Sequence, residues 1–239
     1  MLGRNAAFAA TALAFAVAMV GTTLPTPLYV LYRERFGFSE LMITVIFATY
    51  AAGVIAALLL FGRLSDEVGR RRLLLPGLGL SALSAVCFLT ANGLPLLLVG
   101  RILSGLSAGI FTGTATATLV DLAPPERRGR ATLVATLANM AGLGCGPLLA
   151  GILSQWAGSP LRLTFWVNLA LLVPAVIGIW AMPEPVKVSD TPRLRPQLPQ
   201  VPSQMRAIFI RSARTWESPA EQRSARSCSQ YSPPPRPVS

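Results

Sequence analysis

The chain has 239 residues, of which 52% are hydrophobic and only 13% are charged, and its mean hydropathy is +0.54. A soluble globular domain has about 25% charged residues, so this composition excludes an ordinary water-exposed surface and favours lipid as the solvent. The net charge of +11 does not indicate a nucleic-acid partner. The basic residues form short clusters between apolar runs, which leave no soluble face for binding a groove.

Six apolar runs follow one another along the chain. A helix needs about 20 predominantly apolar residues to cross the hydrocarbon core of a bilayer. The runs predict membrane spans over Ala6–Leu31, Leu41–Phe61, Leu73–Ala91, Leu94–Leu119, Ala131–Trp156 and Leu163–Met182. We therefore expect an all-α, multi-pass protein that lies in the lipid bilayer.

The first run has a second interpretation. A short basic start followed by an Ala-rich run is also typical of a secretory signal peptide. The run is longer than the usual hydrophobic region of such a peptide and lacks a clear Ala-x-Ala site before Pro25. We favour an uncleaved first span.

The arginines predict the orientation, because cytoplasmic loops carry an excess of basic residues. With the N-terminus in the cytoplasm, eight arginines lie inside: Arg4, Arg63, Arg70, Arg71, Arg72, Arg127, Arg128 and Arg130. Three then lie outside: Arg33, Arg35 and Arg162. We expect both termini to be cytoplasmic and the membrane to be the plasma (inner) membrane.

The loop after the second span is short, charged and bracketed by glycines. It reads Gly62-Arg63-Leu64-Ser65-Asp66-Glu67-Val68-Gly69-Arg70-Arg71. The two glycines permit backbone conformations that a Cβ would hinder. The carboxylate of Asp66 precedes a helix, where it could cap free N–H groups or pair with a neighbouring arginine. Arg70 and Arg71 lie at the membrane edge, where the simplest interpretation makes them topology anchors.

The fourth span combines a deep arginine with a glycine stripe. Gly105, Gly109 and Gly113 share one helix face, against which another backbone can pack closely. Arg101 lies within the hydrocarbon, where a charge is costly and normally faces a partner or a wet cavity. Snorkelling to the outer interface is the alternative. Asp121 ends the span, either as a satisfied interfacial residue or in a coupling role.

The fifth span contains Gly142-Leu143-Gly144-Cys145-Gly146-Pro147-Leu148-Leu149-Ala150-Gly151. Proline removes a backbone hydrogen bond and the glycines soften the helix around it. We therefore predict a bent or pliable helix at Pro147, with Gly142 and Gly146 on a small-residue face.

Together these motifs resemble the major facilitator superfamily of secondary transporters. The loop is similar to that family's Gly-x-Leu-x-Asp-x-x-Gly-Arg-Arg signature, although Glu67 stands where the family often has a basic residue. The Arg–Gly pattern resembles that of proton-coupled branches. The Gly-Pro motif resembles that of drug–proton antiporters, with Ala150-Gly151 in place of Gly-Gly. The resemblance covers Ala6 to Glu184.

The resemblance implies a fold, an activity and residue roles. The fold would be half of the major facilitator fold, a six-transmembrane-helix bundle made of two inverted three-helix repeats. The activity would be proton-coupled efflux of small amphipathic compounds by alternating access, with no catalytic residue, cofactor or metal. The loop would latch the halves in one conformation, through Asp66, Gly69 and Arg70. Candidate polar groups of the substrate cavity are Thr22, Thr26, Tyr29, Tyr50 and Asn139, for which helix packing is the simpler interpretation.

The composition changes after residue 184. The final 57 residues hold 11 of the 20 prolines, and the Arg/Ser/Pro-rich end lacks any apolar run. We expect a six-span domain over residues 1–184 and a disordered cytoplasmic tail over residues 185–239, frameshifted from about residue 212. The chain would then be a truncated half, inactive without its missing C-terminal half or a second copy. The alternative is a non-transporting remnant, or an assembly partner of another transporter chain.

Overall fold

The computed structural model describes residues 3–61, 68–156 and 160–184. These residues form α-helices and one short 3₁₀ turn, Pro125–Arg127, and contain no strand. The helices are α1 (Arg4–Thr23), α2 (Pro25–Phe36), α3 (Glu40–Phe61), α4 (Arg70–Leu89), α5 (Leu94–Leu122), α6 (Arg128–Trp156) and α7 (Pro160–Trp180).

Six stretches of these helices are long and apolar enough to cross a membrane, which confirms the prediction of six spans. They are Arg4–Phe36, Glu40–Phe61, Arg70–Leu89, Leu94–Leu122, Pro125–Gln155 and Arg162–Trp180. The first span is longer than its apolar run, because α2 carries the helix on through charged residues to Phe36. Gly37 ends it in the left-handed conformation, and its N–H donates to Arg33 O at 2.8 Å.

A break divides the first span into α1 and α2. Pro25 and Pro27 lack the N–H groups that would continue the helical ladder. The backbone nevertheless stays close to helical at Leu24, whose N–H donates to Val20 O at 3.0 Å. The two helices therefore act as one span with a weakened point near its middle.

The spans interleave instead of packing in chain order. α3 packs mainly on α5, and α6 packs mainly on α1. α4 packs on α5 and α7 packs on α1, while α1 with α5 and α4 with α7 form the central pairs. Exchanging the first three spans with the last three turns the α3–α5 pair into the α6–α1 pair and the α4–α5 pair into the α7–α1 pair. The same exchange maps each central pair onto itself. This pairing is the one expected of two three-helix repeats.

Burial follows the same symmetry. In the first and fourth spans, 56% of the most apolar stretch is buried, against 17% in the second span and 22% in the fifth. α3 and α6 thus present wide apolar faces that no described residue covers. These faces carry exposed side chains such as Ile55, Leu59, Leu137, Met140 and Ile152.

Glycines produce the closest helix contacts. A Cβ on Gly53 of α3 would lie 2.8 Å from Ile102 O of α5, and one on Gly109 would lie 2.7 Å from Val54 O. Gly105 meets the backbone of α3 in the same way, at Tyr50 O. Such approaches are open only to residues without a side chain.

The sixth helix makes the equivalent contact with the first. Gly142 and Gly146 of α6 lie against the backbone of α1, and a Cβ on Gly146 would lie 2.8 Å from Val20 O. Gly113 is less constrained, because a Cβ there would meet Leu58 Cδ2 at an ordinary 3.9 Å. α6 runs as a continuous helix through Pro147.

Candidate functional site

Arg101 lies inside the bundle, with 1% of its surface exposed. Its Nη1 donates to the carbonyl oxygen of Thr22 at 2.7 Å, and its Nε donates to the hydroxyl of Tyr29. Thr22 lies just before the break between α1 and α2, and Tyr29 lies just after it. The arginine therefore fastens both sides of this weakened point to α5.

Four aromatic rings surround the guanidinium. Its central carbon lies 4.9 Å from the ring centre of Tyr29, 5.5 Å from Phe47, 5.6 Å from Tyr50 and 5.8 Å from Phe88. The electron-rich faces of such rings attract a cation by about 0.5–2 kcal/mol each. We call Arg101 and these four rings the arginine cage. Its described partners hold the charge without a carboxylate.

The cage leaves one donor unused. Nη2 of Arg101 is buried and has no hydrogen-bond partner among the described residues, and neither does Ser104 Oγ one helical turn further on. Asn139 Oδ1 on α6 and Asn168 Oδ1 on α7 are buried in the same condition. An unmet buried polar atom costs about 1–3 kcal/mol, so these atoms are the natural contacts for a polar ligand or water.

Asn168 is a buried polar residue that no sequence motif predicted. It is 2% exposed, and it packs so tightly against α1 that a Cβ on Gly21 would lie 3.1 Å from its Nδ2 and 3.2 Å from Ser81 Oγ. A single amide within the apolar run Phe-Trp-Val-Asn-Leu was the available signal, because polar groups inside membrane helices are costly.

The predicted cavity residues fall into two groups. Thr22, Tyr29 and Tyr50 all contact Arg101, through a carbonyl or a ring. The hydroxyl of Thr22 is occupied, because it donates to Met19 O at 2.7 Å. Thr26 is half-buried, and neither it nor Asn139 has a described contact with the cage.

A second polar cluster lies where α4 begins and α5 ends. Arg70 Nε lies 3.1 Å from Asp121 Oδ2, and the Arg70 side chain is 9% exposed. The carboxylate of Glu184, beyond the end of α7, accepts from the backbone N–H of Arg70 at 2.6 Å and from that of Arg71 at 3.2 Å. We call these four residues the clasp.

The clasp forms because the start of α4 offers unpaired N–H groups to a carboxylate. The first N–H groups of a helix have no partner within it and carry partial positive charge, so a carboxylate stabilises them. Gly69 makes room for Glu184, since a Cβ there would lie 3.1 Å from its carboxyl carbon. Gly69 also has φ of +107°, which disfavours any side chain. The clasp thereby joins three spans of this bundle.

Two of the predicted loop residues, Gly62 and Asp66, lie outside the described residues. Arg71 also contacts the sixth span, with its guanidinium carbon 5.9 Å from the ring centre of Trp180. Arg101 and Asp121 are not brought together, because 20 positions of α5 separate them by about 30 Å. The arginine cage and the clasp are therefore separate sites.

The fold and these sites define a multi-pass helical membrane protein built from two interleaved repeats around a caged cation. The model of the Major Facilitator Superfamily matches residues 11–223. The chain belongs to this superfamily. The match continues past residue 212, where the sequence predicts a change of frame.

Curated relatives and a solved structure agree with this assignment. The chain is 32% identical over 155 residues to a triacylglyceride transporter of Mycolicibacterium smegmatis, covering 64% of this chain and 27% of that protein. It is 34% identical over 142 residues to the multidrug resistance protein MdtL of Escherichia coli, covering 58% and 35%. The fold is similar to that of the human organic anion transporter MFSD10 (TETRAN), with a TM-score of 0.62 and 22% identity, covering 83% of this chain and 52% of that one.

The chain matches only a part of each of these proteins. The chain spans about a third of the length of these curated relatives and about half of the solved transporter chain.

Proposed function

We propose that the chain forms one half of a transporter that exports small amphipathic compounds by alternating access, coupled to protons. The observation that carries this proposal is the arginine cage. A buried arginine with an unused donor is expensive in a membrane, and such residues mark ligand or ion pathways. The membrane would be the plasma membrane, with both termini in the cytoplasm.

The uncovered faces of α3 and α6 support a two-half architecture. Transporters of this kind bind substrate between two bundles, near the middle of the bilayer. The two spans with the least burial hold equivalent places in the two repeats. A second bundle could therefore seat on both of them at once. Phe47 and Tyr50 belong to α3, so the cage lies directly behind that interface.

The positions of the carboxylates support the idea that the second half of the transporter supplies the proton-binding group. Those in the described residues are Glu34, Glu40, Asp121, Glu126 and Glu184, and each lies at or beyond a helix end. Asp121 is engaged with Arg70. In this proposal, the carboxylate that binds and releases the proton belongs to the second half, and Arg101 responds to its charge across the cavity.

Amphipathic substrates fit the walls of the cage. Aromatic rings offer apolar area, and the free Nη2 of Arg101 offers one strong donor to a carbonyl, carboxylate or phosphate oxygen. The names of the relatives point to apolar or amphipathic cargo, namely triacylglyceride and drugs. The proposal takes from them only this general class.

Transport in proteoliposomes tests the proposal. We expect saturable, proton-gradient-dependent transport of lipophilic probes when the chain is reconstituted with the C-terminal half of a full-length relative. We expect none with the chain alone. Arg101→Lys, which cannot span the same partners, should abolish it, whereas Arg33→Lys at an exposed position should not.

The alternative is an assembly partner that does not transport, and the uncovered faces of α3 and α6 are also compatible with it. The same experiment separates the two. Stable association with the second half, without transport in any lipid or gradient, would favour the assembly partner. Transport by the chain alone would instead favour a working homodimer.

A further inference from the structure

A cavity of about 380 Å³ lies at the end of the bundle where α2 and α4 end and α7 begins. Its size falls within the roughly 300–1,000 Å³ range of small-molecule sites. It is distinct from the arginine cage, with which it shares only Phe88. Its lining residues are Tyr32, Arg35, Phe88, Leu89, Thr90, Ala91, Asn92, Arg162 and Trp166.

Two arginines give this cavity its charge. Arg35 and Arg162 both line it, no carboxylate does, and neither guanidinium has an ion pair in the described part of the chain. Arg33, two positions before Arg35, differs because it pairs with Glu40 at 2.7 Å. Two guanidinium groups facing one cavity suit a phosphate group, whose oxygens accept paired hydrogen bonds from arginine.

The hydroxyl groups that line the cavity already donate hydrogen bonds within the protein, so the arginines are the main donors to a bound anion. The hydroxyl of Tyr32 donates to Phe88 O at 2.9 Å, and that of Thr90 donates to Val86 O at 2.8 Å. Asn92 is exposed at the rim and has no described hydrogen bond of its side chain. It can therefore donate an amide N–H to the same anion.

An apolar track leads away from the cavity. Trp166 belongs to the cavity wall and is 59% exposed, and Val173 and Ile177 follow it at helical spacing with similar exposure. From Trp166 to Ile177 the helix rises about 16 Å, which is roughly the depth of one leaflet. Tryptophan is typical of the level where headgroups meet acyl chains. A soluble anion would use the arginines alone, whereas a lipid would use both features.

We propose that this cavity binds the phosphate of an anionic phospholipid, with an acyl chain along the exposed face of α7. The bound headgroup joins α2 to α7 by bridging Arg35 and Arg162. These helices come from the first and sixth spans, which lie far apart in the chain. The lipid would therefore be a structural part of the bundle, separate from any transported cargo.

Lipid retention by the full chain tests this proposal. The protein is purified in neutral detergent and titrated with phosphatidylglycerol or phosphatidylcholine, and bound lipid is counted by native mass spectrometry. We expect one phosphatidylglycerol to be held in preference to phosphatidylcholine. Its affinity should fall about fivefold in Arg35→Gln or Arg162→Gln and about 25-fold in the double variant. Arg33→Gln, at the same end but outside the cavity, should bind as the unmodified chain does.

Each remaining outcome decides the matter. Equal retention of the two lipids by the unmodified chain overturns the proposal without any variant, as does full phosphatidylglycerol affinity in the double variant. Millimolar inorganic phosphate separates the two sources of the anion. If millimolar phosphate displaces phosphatidylglycerol by binding to the same two arginines, the cavity is a site for soluble phosphate and the lipid proposal is overturned. If it does not, the acyl chain is part of recognition.

Discussion

Glu184 Oε1 accepts a hydrogen bond of 2.6 Å from the backbone nitrogen of Arg70, which lies 114 positions earlier in the chain. This bond caps the first turn of α4 with a group from beyond α7. The side chain of the same arginine reaches Asp121 at the end of α5. One residue thus couples the ends of three spans, through its backbone and its side chain.

Removing the cap should destabilise the bundle. We expect Glu184→Ala to lower the free energy of unfolding by about 0.5–2 kcal/mol, the usual cost of losing a helix cap. Glu184→Gln should cost less, since it keeps an acceptor and loses only the interaction of charge with the helix dipole. Denaturant titration in mixed micelles measures both. Glu34→Gln, at an exposed carboxylate with no described ion pair, is the control and should be neutral.

The glycine contacts should tolerate no methyl group. We expect Gly109→Ala to destabilise the bundle by about 1–3 kcal/mol, because its Cβ would lie 2.7 Å from Val54 O and force α3 and α5 apart. A Cβ on Gly144 of α6 would meet nothing within 4 Å. Gly144→Ala should therefore be neutral or stabilising by up to about 1 kcal/mol. Equal effects of the two substitutions on unfolding would contradict the packing argument.

The two buried tyrosines should respond differently to loss of the hydroxyl. Tyr29→Phe keeps the ring over Arg101 but leaves the buried Nε without its acceptor, which should cost about 1–3 kcal/mol. Tyr32→Phe removes a donor to Phe88 O, and that carbonyl keeps a contact with the N–H of Ala91 at 3.4 Å. The second change should cost about 1 kcal/mol or less. Thermal unfolding of the two variants side by side gives the order, and a larger loss in Tyr32→Phe would argue against a charged cage.

Much of this architecture was predictable, because the membrane restricts which backbone structures a sequence can form. Unpaired backbone groups cannot face lipid, so each long apolar run must be a helix. The spans were therefore predicted to within three residues, apart from the charged end of the first span at Arg33 to Phe36 and the charged start of the fifth span at Pro125 to Arg130, which gave no apolar signal. The depth of Arg101 within its run pointed to a site for the same reason.

The partners within the site were not predictable. Arg101 contacts rings from α2, α3 and α4. Hydropathy identifies the helices but does not indicate which of them are neighbours, so these contacts could not be predicted. Glu184 was invisible as a cap, because its target lies across the bundle and not in its own helix. These groups come together only when the helices pack against one another.

The membrane orientation can be tested at two exposed turns on either end of α5. The structure leaves Asn92 exposed before this helix and Glu126 exposed after it, so reagents can reach both. Eight arginines on one side against three on the other predict that Glu126 faces the cytoplasm. In a background without Cys87, Cys145 and Cys228, we expect Asn92→Cys to react with a membrane-impermeant maleimide in intact cells. Glu126→Cys should react only after permeabilisation, and the reverse pattern would invert the topology, with the phospholipid cavity then in the inner leaflet.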